Sequence, residues 1–404
     1  METTGVVRLA IRADAAFDGE RRLPEGALVL VDNGAIVAVE PGGAPAPEGW
    51  DVHHEPGTTL LPGLIDAHTH LCGDSGPEAL DKLPDLSPGE IDAIVEQSLA
   101  IHLASGATAV RDLGDQDWAV VERHRDHATG PAVVASGPPI TTADGHCAWL
   151  GGAVSGGTDR IAQLRRAVRE RAERGADLVK IMTTGGMMTI GTDIRACQFT
   201  LEELRAVVDE AHRLGLPVTG HAHALAGVRQ CVAAGVDGIE HCTCVGPDGV
   251  ANPRGLADEI AAAGITVCPT VGHQFPGGQP PPDVAERMAK AGFDLTRRRE
   301  QVGELYRAGV TLVSGVDSGI HMAKPHGFLP RTIAELVKCD VPEIAALTSA
   351  TAVAARVCGL DGRTGRLRAG LDADLLVVRG DPMADIVALE SVHAVFRRGR
   401  PAGE

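Results

Sequence analysis

Residues 58–70 read TTLLPGLIDAHTH, an apolar run that closes on two histidines, His68 and His70. Seven further runs follow it: ATAVRDLG (107–114), PAVVASG (131–137), ADLVKIM (176–182), PVTGHAH (217–223), GIEHCT (238–243), ITVCPT (265–270) and VTLVSGVDSG (310–319). Helical stretches lie between them, at 158–174, 200–214 and 283–308. In the second, apolar residues recur at helical spacing before Gly215 stops the pattern. Short strands alternating with amphipathic helices predict parallel β/α units. Eight strands within about 260 residues predict a (β/α)8 TIM barrel. A doubly wound open sheet is the runner-up, but no GxGxxG follows the first strand.

Outside those runs the pattern changes. Residues 6–40 read as short β segments, with Asn33-Gly34 between apolar runs as a hairpin signal, and PGGAPAPEGW (41–50) reads as a loop. The tail returns to strand-like patterns in GRLRAGLDADLLVVRGDP (365–382) and SVHAVFRRGRP (391–401). Neither end is long enough to bury a core alone. The expected α/β organisation is therefore one barrel, residues 58–359, flanked by a small β-sandwich built from residues 1–57 and 360–404.

Composition narrows the class of protein. Apolar residues make up 44% and charged residues 23%, enough core-forming material for a folded globule. Asp and Glu number 54 against 37 Lys and Arg, a net charge of −17, which opposes binding to nucleic acid or an anionic membrane surface. Small-molecule or peptide partners are expected. No run is apolar enough for a membrane span, and Arg8, Arg12 and Asp14 interrupt the place of a signal peptide's apolar region. Nine scattered cysteines without CxxC pairs suggest reduced thiols, in keeping with a cytoplasmic enzyme.

Barrel enzymes carry their chemistry at the C-terminal strand ends, so the polar residues closing each run matter most. His68 and His70 close the first, and residues two apart on a strand point to the same side. Lys180 lies in the fourth, His221 and His223 close the fifth, His241 closes the sixth, and Asp317 closes the eighth. Imidazole nitrogens and carboxylate oxygens are the donors that zinc and similar divalent ions take. Each residue alone has a bland reading as a hydrogen-bonded core side chain; their joint occurrence at strand ends does not. The other histidines, among them His102 and His124, read as surface or loop.

Lys180 is unusual because the chain has only five Lys against 32 Arg. An ammonium inside an apolar strand beside metal cations must be neutralised or converted. Carboxylation by carbon dioxide turns it into an oxygen donor able to bridge two metals. The alternative is an ordinary ion pair with an acid such as Asp177 or Asp193.

These stretches together resemble the amidohydrolase superfamily, within it the binuclear group of Xaa-Pro dipeptidase-like, carboxypeptidase-like and ochratoxinase-like enzymes. The resemblance runs through LLPGLIDAHTHL, GATAVRDLG, GPPITTADGH, ADLVKIMTTGGMMT, EELRAVVDEAHRLGLPVTGHAHA, GVDGIEH, VDSG and TGRLRAGLDADLLVVRGDP. It implies that His68, His70 and Asp317 hold one metal and His221 and His241 the other, with carboxylated Lys180 bridging them. It also implies that His223 and His146 face the substrate. A metal-bridging hydroxide would then attack the scissile amide carbonyl, with Asp317 as general base and acid and His223 or His146 stabilising the oxyanion. Two zinc ions are expected, although the donor set also accepts manganese or cobalt. Relatives commonly form symmetric homo-oligomers.

A dipeptide, an N-acyl amino acid or a peptide-like natural product is the expected substrate. Arg195 and Lys324 are candidate partners for a substrate carboxylate. The Pro/Gly-rich segment VGHQFPGGQPPP (271–282) could overhang the site. The competing reading is a mononuclear aminohydrolase acting on a cyclic C–N bond, like imidazolonepropionase or the deaminases. That group generally lacks a strand-four Lys.

Overall fold

The computed structural model describes residues 8–402 except 126, 128–129, 188, 190, 252–253, 276–277 and 281. It is a mixed α/β fold. Seven of the eight apolar runs contain strands: β1 (Leu64–Thr69), β2 (Ala107–Asp112), β3 (Ala132–Ala135), β4 (Val179–Met182), β5 (Val218–Ala224), β6 (Gly238–Gly246) and β7 (Thr266–Cys268). Strands β1 to β3 form one parallel sheet and β4 to β7 another, so the expected closed eight-stranded ring is replaced by two arcs.

The interruptions have local causes. After β3, Gly137-Pro138-Pro139 removes two backbone donors, and the link to β4 is the isolated bridge of Ile140 to Ile181. The eighth run, 310–319, contains no named strand and touches its neighbours through isolated bridges, Val267 to Leu312 and Thr69 to Ser318. Asp317 lies there at φ 66°, outside strand geometry. Gly315 approaches β1 so closely that a Cβ on it would lie 2.7 Å from the His68 Cβ.

The first run also divides. Thr58–Pro62 leaves the barrel-like part and joins a six-stranded sheet in which it pairs antiparallel with Leu375–Arg379 and parallel with Ala15–Phe17. Both chain ends thus contribute to one sheet. A second sheet holds Ala27–Asp32 and Ala35–Glu40, joined through Asn33 and Gly34 at φ 49° and 82°, as the Asn-Gly signal predicts. Val29, Val31, Leu60, Leu375, Val377 and Phe396 pack together between these sheets.

Helices follow their sequence signals. Leu201–Arg213 begins with a Thr200–Glu203 capping box, and Gly215 follows at φ 76°. The 283–308 stretch is two helices, Pro282–Ala291 and Leu295–Arg307, because Gly292 turns left-handed and Asp294 caps the second. Among the described residues no helix is long and apolar enough to cross a membrane. All nine cysteines are free.

Candidate metal centre

The C-terminal ends of the parallel strands meet in one cavity, lined by His68, His70, His146, Lys180, His221, His223, His241 and Asp317. All eight are buried. The backbone there departs from strand geometry, with His241, Cys242, Cys244, Thr270 and Asp317 at positive φ. For β-branched Thr270 that conformation is costly, and such strain gathers where side chains must be aimed rather than packed.

At the first strand end, Asp317 Oδ1 lies 3.2 Å from His68 Nε2 and 3.3 Å from His70 Nε2. The outer nitrogens are engaged elsewhere: His68 Nδ1 meets Glu240 Oε2 at 2.7 Å, and His70 Nδ1 meets the Gly114 carbonyl at 3.1 Å. An ionised carboxylate and a carbonyl can only accept, so both Nδ1 atoms carry a proton and both Nε2 atoms are left facing Asp317. Two imidazole nitrogens and a carboxylate oxygen thus converge, a donor set suited to a divalent cation. Burial alone would raise the Asp317 carboxyl, yet His68 and His70 hold it well below the usual range. Burial opposes protonation of His70, and the Asp317 carboxylate outweighs it.

Residues that did not stand out in the sequence support this end. Glu240 Oε1 accepts from Arg111 Nη2 at 2.9 Å and from Thr219 Oγ1 at 2.6 Å. Burial pushes Glu240 up, but the charges of Arg111, His68 and Lys180 hold it far below the carboxylate range. Asp112 accepts from the backbone N–H groups of Leu71 (2.7 Å) and Gly114 (3.1 Å), fixing the loop whose carbonyl orients His70. The segment Arg111-Asp112-Leu113-Gly114 therefore steadies both histidines of the first strand.

The second cluster is all imidazole. One ligand atom each from His221, His223 and His241 lie within 4.8 Å of one another, as do His68, His241 and Asp317, so His241 belongs to both groups. His221 Nε2 meets the Gly185 carbonyl at 3.3 Å, which leaves its Nδ1 as the acceptor. Thr270 Oγ1 lies 2.8 Å from His241 Nδ1, and Thr243 Oγ1 2.8 Å from His223 Nδ1. Burial pushes His223 and His146 down to about 3, so both are neutral at physiological pH. Distance alone gives His223 the same reach as His221.

Among the described residues, Lys180 Nζ has no hydrogen-bond or ion-pair partner. The acids that could have paired with it are engaged elsewhere: Asp177 with Arg125 at 2.6 Å, and Asp193 with the Arg195 backbone N–H. Burial lowers the Lys180 ammonium pKa, against the charges of Glu240 and Asp317.

The two carboxylate-partner candidates separate. Lys324 is buried in the cavity wall, whereas Arg195 is exposed and donates to the Lys290 carbonyl at 3.3 Å, away from the cavity. Sequence distance misleads here, because the turn after β4 carries the Arg195 side chain outward. Of the 271–282 segment, Val271, Gly272, His273, Phe275 and Gly278 line the cavity, while 276, 277 and 281 lie outside the described residues. His102 and His124, read from sequence as surface or loop, are buried, with His102 Nε2 3.0 Å from His326 Nδ1.

Known proteins resemble this chain over most of its length. The profile of the Amidohydrolase family matches residues 59–402. Ochratoxinase of Aspergillus niger is 27% identical over 415 residues, covering 94% of this chain and 82% of that protein. An uncharacterized protein of Mycobacterium tuberculosis is 29% identical over 356 residues, 86% of each chain. The crystal structure of a Xaa-Pro dipeptidase with methionine bound in its active site superposes with a TM-score of 0.82 at 26% identity, covering 98% of this chain and 99% of the other. The protein belongs to the amidohydrolase family and is a hydrolase of carbon–nitrogen bonds.

Proposed function

We propose that the protein hydrolyses an acyclic amide or peptide bond, in a dipeptide, an N-acyl amino acid or a peptide-like natural product, at a two-metal centre. The observation that carries this reading is the convergence of His68, His70 and Asp317 and of His221 and His241, the last reaching both groups, in one buried cavity that Lys180 also lines. In this reading the two parallel arcs and their isolated bridges are one (β/α)8 barrel, flanked by a β-sandwich of both chain ends. His68, His70 and Asp317 would hold one ion, His221 and His241 the second, and carboxylated Lys180 both.

Two divalent ions, most simply zinc, supply Lewis-acid polarisation of a carbonyl and lower the pKa of water. The protein's own groups do the rest. Asp317, held ionised, accepts a proton from the attacking water and returns it to the leaving amine. When the Thr243 hydroxyl donates to its Nδ1, neutral His223 presents Nε2–H as a donor to the oxyanion, and neutral His146 packs against His221 with ring centroids 4.6 Å apart. A depressed Lys180 pKa favours the neutral amine that reacts with carbon dioxide.

The test is release of free amine from N-acyl amino acids and Xaa-Pro dipeptides by metal-reconstituted protein. The dipeptides are included because a structural relative is a Xaa-Pro dipeptidase. Opening of a cyclic imidazolone, or ammonia release from a nucleobase, without cleavage of any acyclic amide would overturn the reading.

A further inference from the structure

The strand that carries His241 loses its ladder at that residue. Pairing of β6 with β7 ends at Glu240 and Cys268, and the register with β5 shifts after the Ala222–His241 pair, resuming at Ala224–Val245. A step of two residues on β5 thus spans four on β6. In this bulge His241 and Cys242 turn to φ 66° and 50°, and Thr270, just past β7, sits at φ 48°. Such backbone is costly for any residue with a Cβ and persists only where its surroundings fix it. Carbonyls beyond the ladder also need new donors.

One side chain supplies most of them. Arg298, on the helix Leu295–Arg307, is 4% exposed and lines the cavity. Its Nη2 donates to the His241 carbonyl and to the Pro269 carbonyl at 2.8 Å, while its Nη1 donates to the Cys242 carbonyl at 3.2 Å and to Gln301 Oε1. Gln301 Nε2 adds a second donor to the Cys242 carbonyl at 3.1 Å. The fork thus ties the bulge of β6 to the residue before Thr270, and Thr270 Oγ1 in turn lies 2.8 Å from His241 Nδ1. Backbone and ring of His241 are held through the same guanidinium. Next to Cys242, Thr243 Oγ1 meets His223 Nδ1 at 2.8 Å.

A positive charge is a costly way to hold carbonyls. Among the described residues no carboxylate lies within ion-pair distance of Arg298, and burial pulls its pKa below the usual guanidinium range. Packing the helix here would need only an apolar side chain. What Arg298 adds is direction: a neutral amide offers two N–H donors, against the four that the guanidinium engages in one plane.

We propose that Arg298 is a positioning residue for one of the two metals: it fixes the backbone and ring of His241, and with them the site that His221 and His241 offer. The inference rests on the two-metal reading above and adds the group that shapes one half of it.

The test is titration of the metal-free full chain with cobalt(II), in the presence of bicarbonate, followed by visible absorption and by competition with a chromogenic chelator. The native chain is expected to take up two ions. In Arg298→Ala one of them should bind at least about tenfold more weakly, as when the partner that orients a ligand is lost, and the other as in the native chain. Guanidinium chloride at a subdenaturing concentration should restore part of that affinity, because Arg298 lines the cavity, and ammonium chloride at the same concentration should not. Arg298→Lys, which keeps the charge without the fork, should show a smaller loss at the same ion. Native-like binding of both ions in Arg298→Ala, equal weakening of the two, or rescue by ammonium as complete as by guanidinium would each overturn the proposal. If circular dichroism shows Arg298→Ala unfolded, Arg298→Lys decides: weakening of one ion supports the proposal, and native-like binding of both ions or loss of fold overturns it. One ion in the native chain would remove the two-metal reading and the proposal with it, whereas two ions unaffected by either substitution remove the proposal alone.

Discussion

Glu240 Oε2 accepts the Nδ1 proton of His68 at 2.7 Å although 172 residues separate them, while its other oxygen takes Arg111 and Thr219. The carboxylate acts through His68: it fixes the Nδ1 proton and turns Nε2 toward Asp317. Gln at this position would offer one oxygen to three donors and point an amide N–H at either His68 or Arg111. Glu240→Gln is therefore expected to weaken metal binding by about ten- to a hundredfold, read by competition with a chromogenic chelator. Unchanged affinity would mean that His68 is oriented by packing alone.

Asp317→Asn keeps the size and one oxygen but removes the proton acceptor. Turnover should fall by about a hundredfold or more while most of the metal is retained. Comparing kcat with metal content per chain checks this, and retained activity would remove Asp317 from the base role.

Gly186 leaves room for His146, since a Cβ there would lie 2.3 Å from His146 Nε2. Gly186→Ala should displace the ring and lower kcat at least about tenfold, the smaller end of what one oxyanion donor contributes. Gly156→Ala makes the same chemical change where no atom lies within 4 Å and should be silent. Equal kcat in the two variants would place His146 outside the reaction.

Asp115 is buried, and burial together with the Asp112 charge pushes its carboxyl up to about 7. Its Oδ2 accepts from the Val120 and Val121 N–H groups at 2.8 and 3.2 Å, which an amide oxygen can also do. With the folded pKa above the unfolded one, the folded chain binds more protons between about 4 and 7, so this residue costs stability as pH rises through that window. Asp115→Asn should raise Tm at pH 8 and leave it nearly unchanged at pH 4. A lowered Tm at pH 8 would contradict the assignment.

Strand-end residues were legible in the sequence because an apolar run that stops at a histidine or aspartate fixes both place and direction. His68, His70, His221, His241 and Asp317 all line one cavity for that reason, with Lys180 reaching it from within its strand. The residues that orient them were not, because the Glu240–His68 and Gly114–His70 contacts depend on register between distant strands. One signal was available: the criterion that singles out Lys180, a charge inside an apolar strand, applies equally to Arg111 and Glu240. That Arg195 is exposed and away from the cavity was not legible, because side-chain direction has no period along a loop. The first run divided at Gly63, a glycine so close to Thr108 that a Cβ would lie 2.1 Å from its hydroxyl. Apolar content alone could not reveal that break, since both halves are buried.

The central claim is a two-metal centre bridged by modified Lys180. Its most direct test is elemental analysis of protein purified without chelators and supplied with bicarbonate, paired with native mass spectrometry for carbon dioxide bound at Lys180. Two metals per chain, with the second and the carbon dioxide both lost in Lys180→Ala, is the predicted result. One metal per chain, unmoved by bicarbonate or excess metal and unaffected by Lys180→Ala, would contradict it.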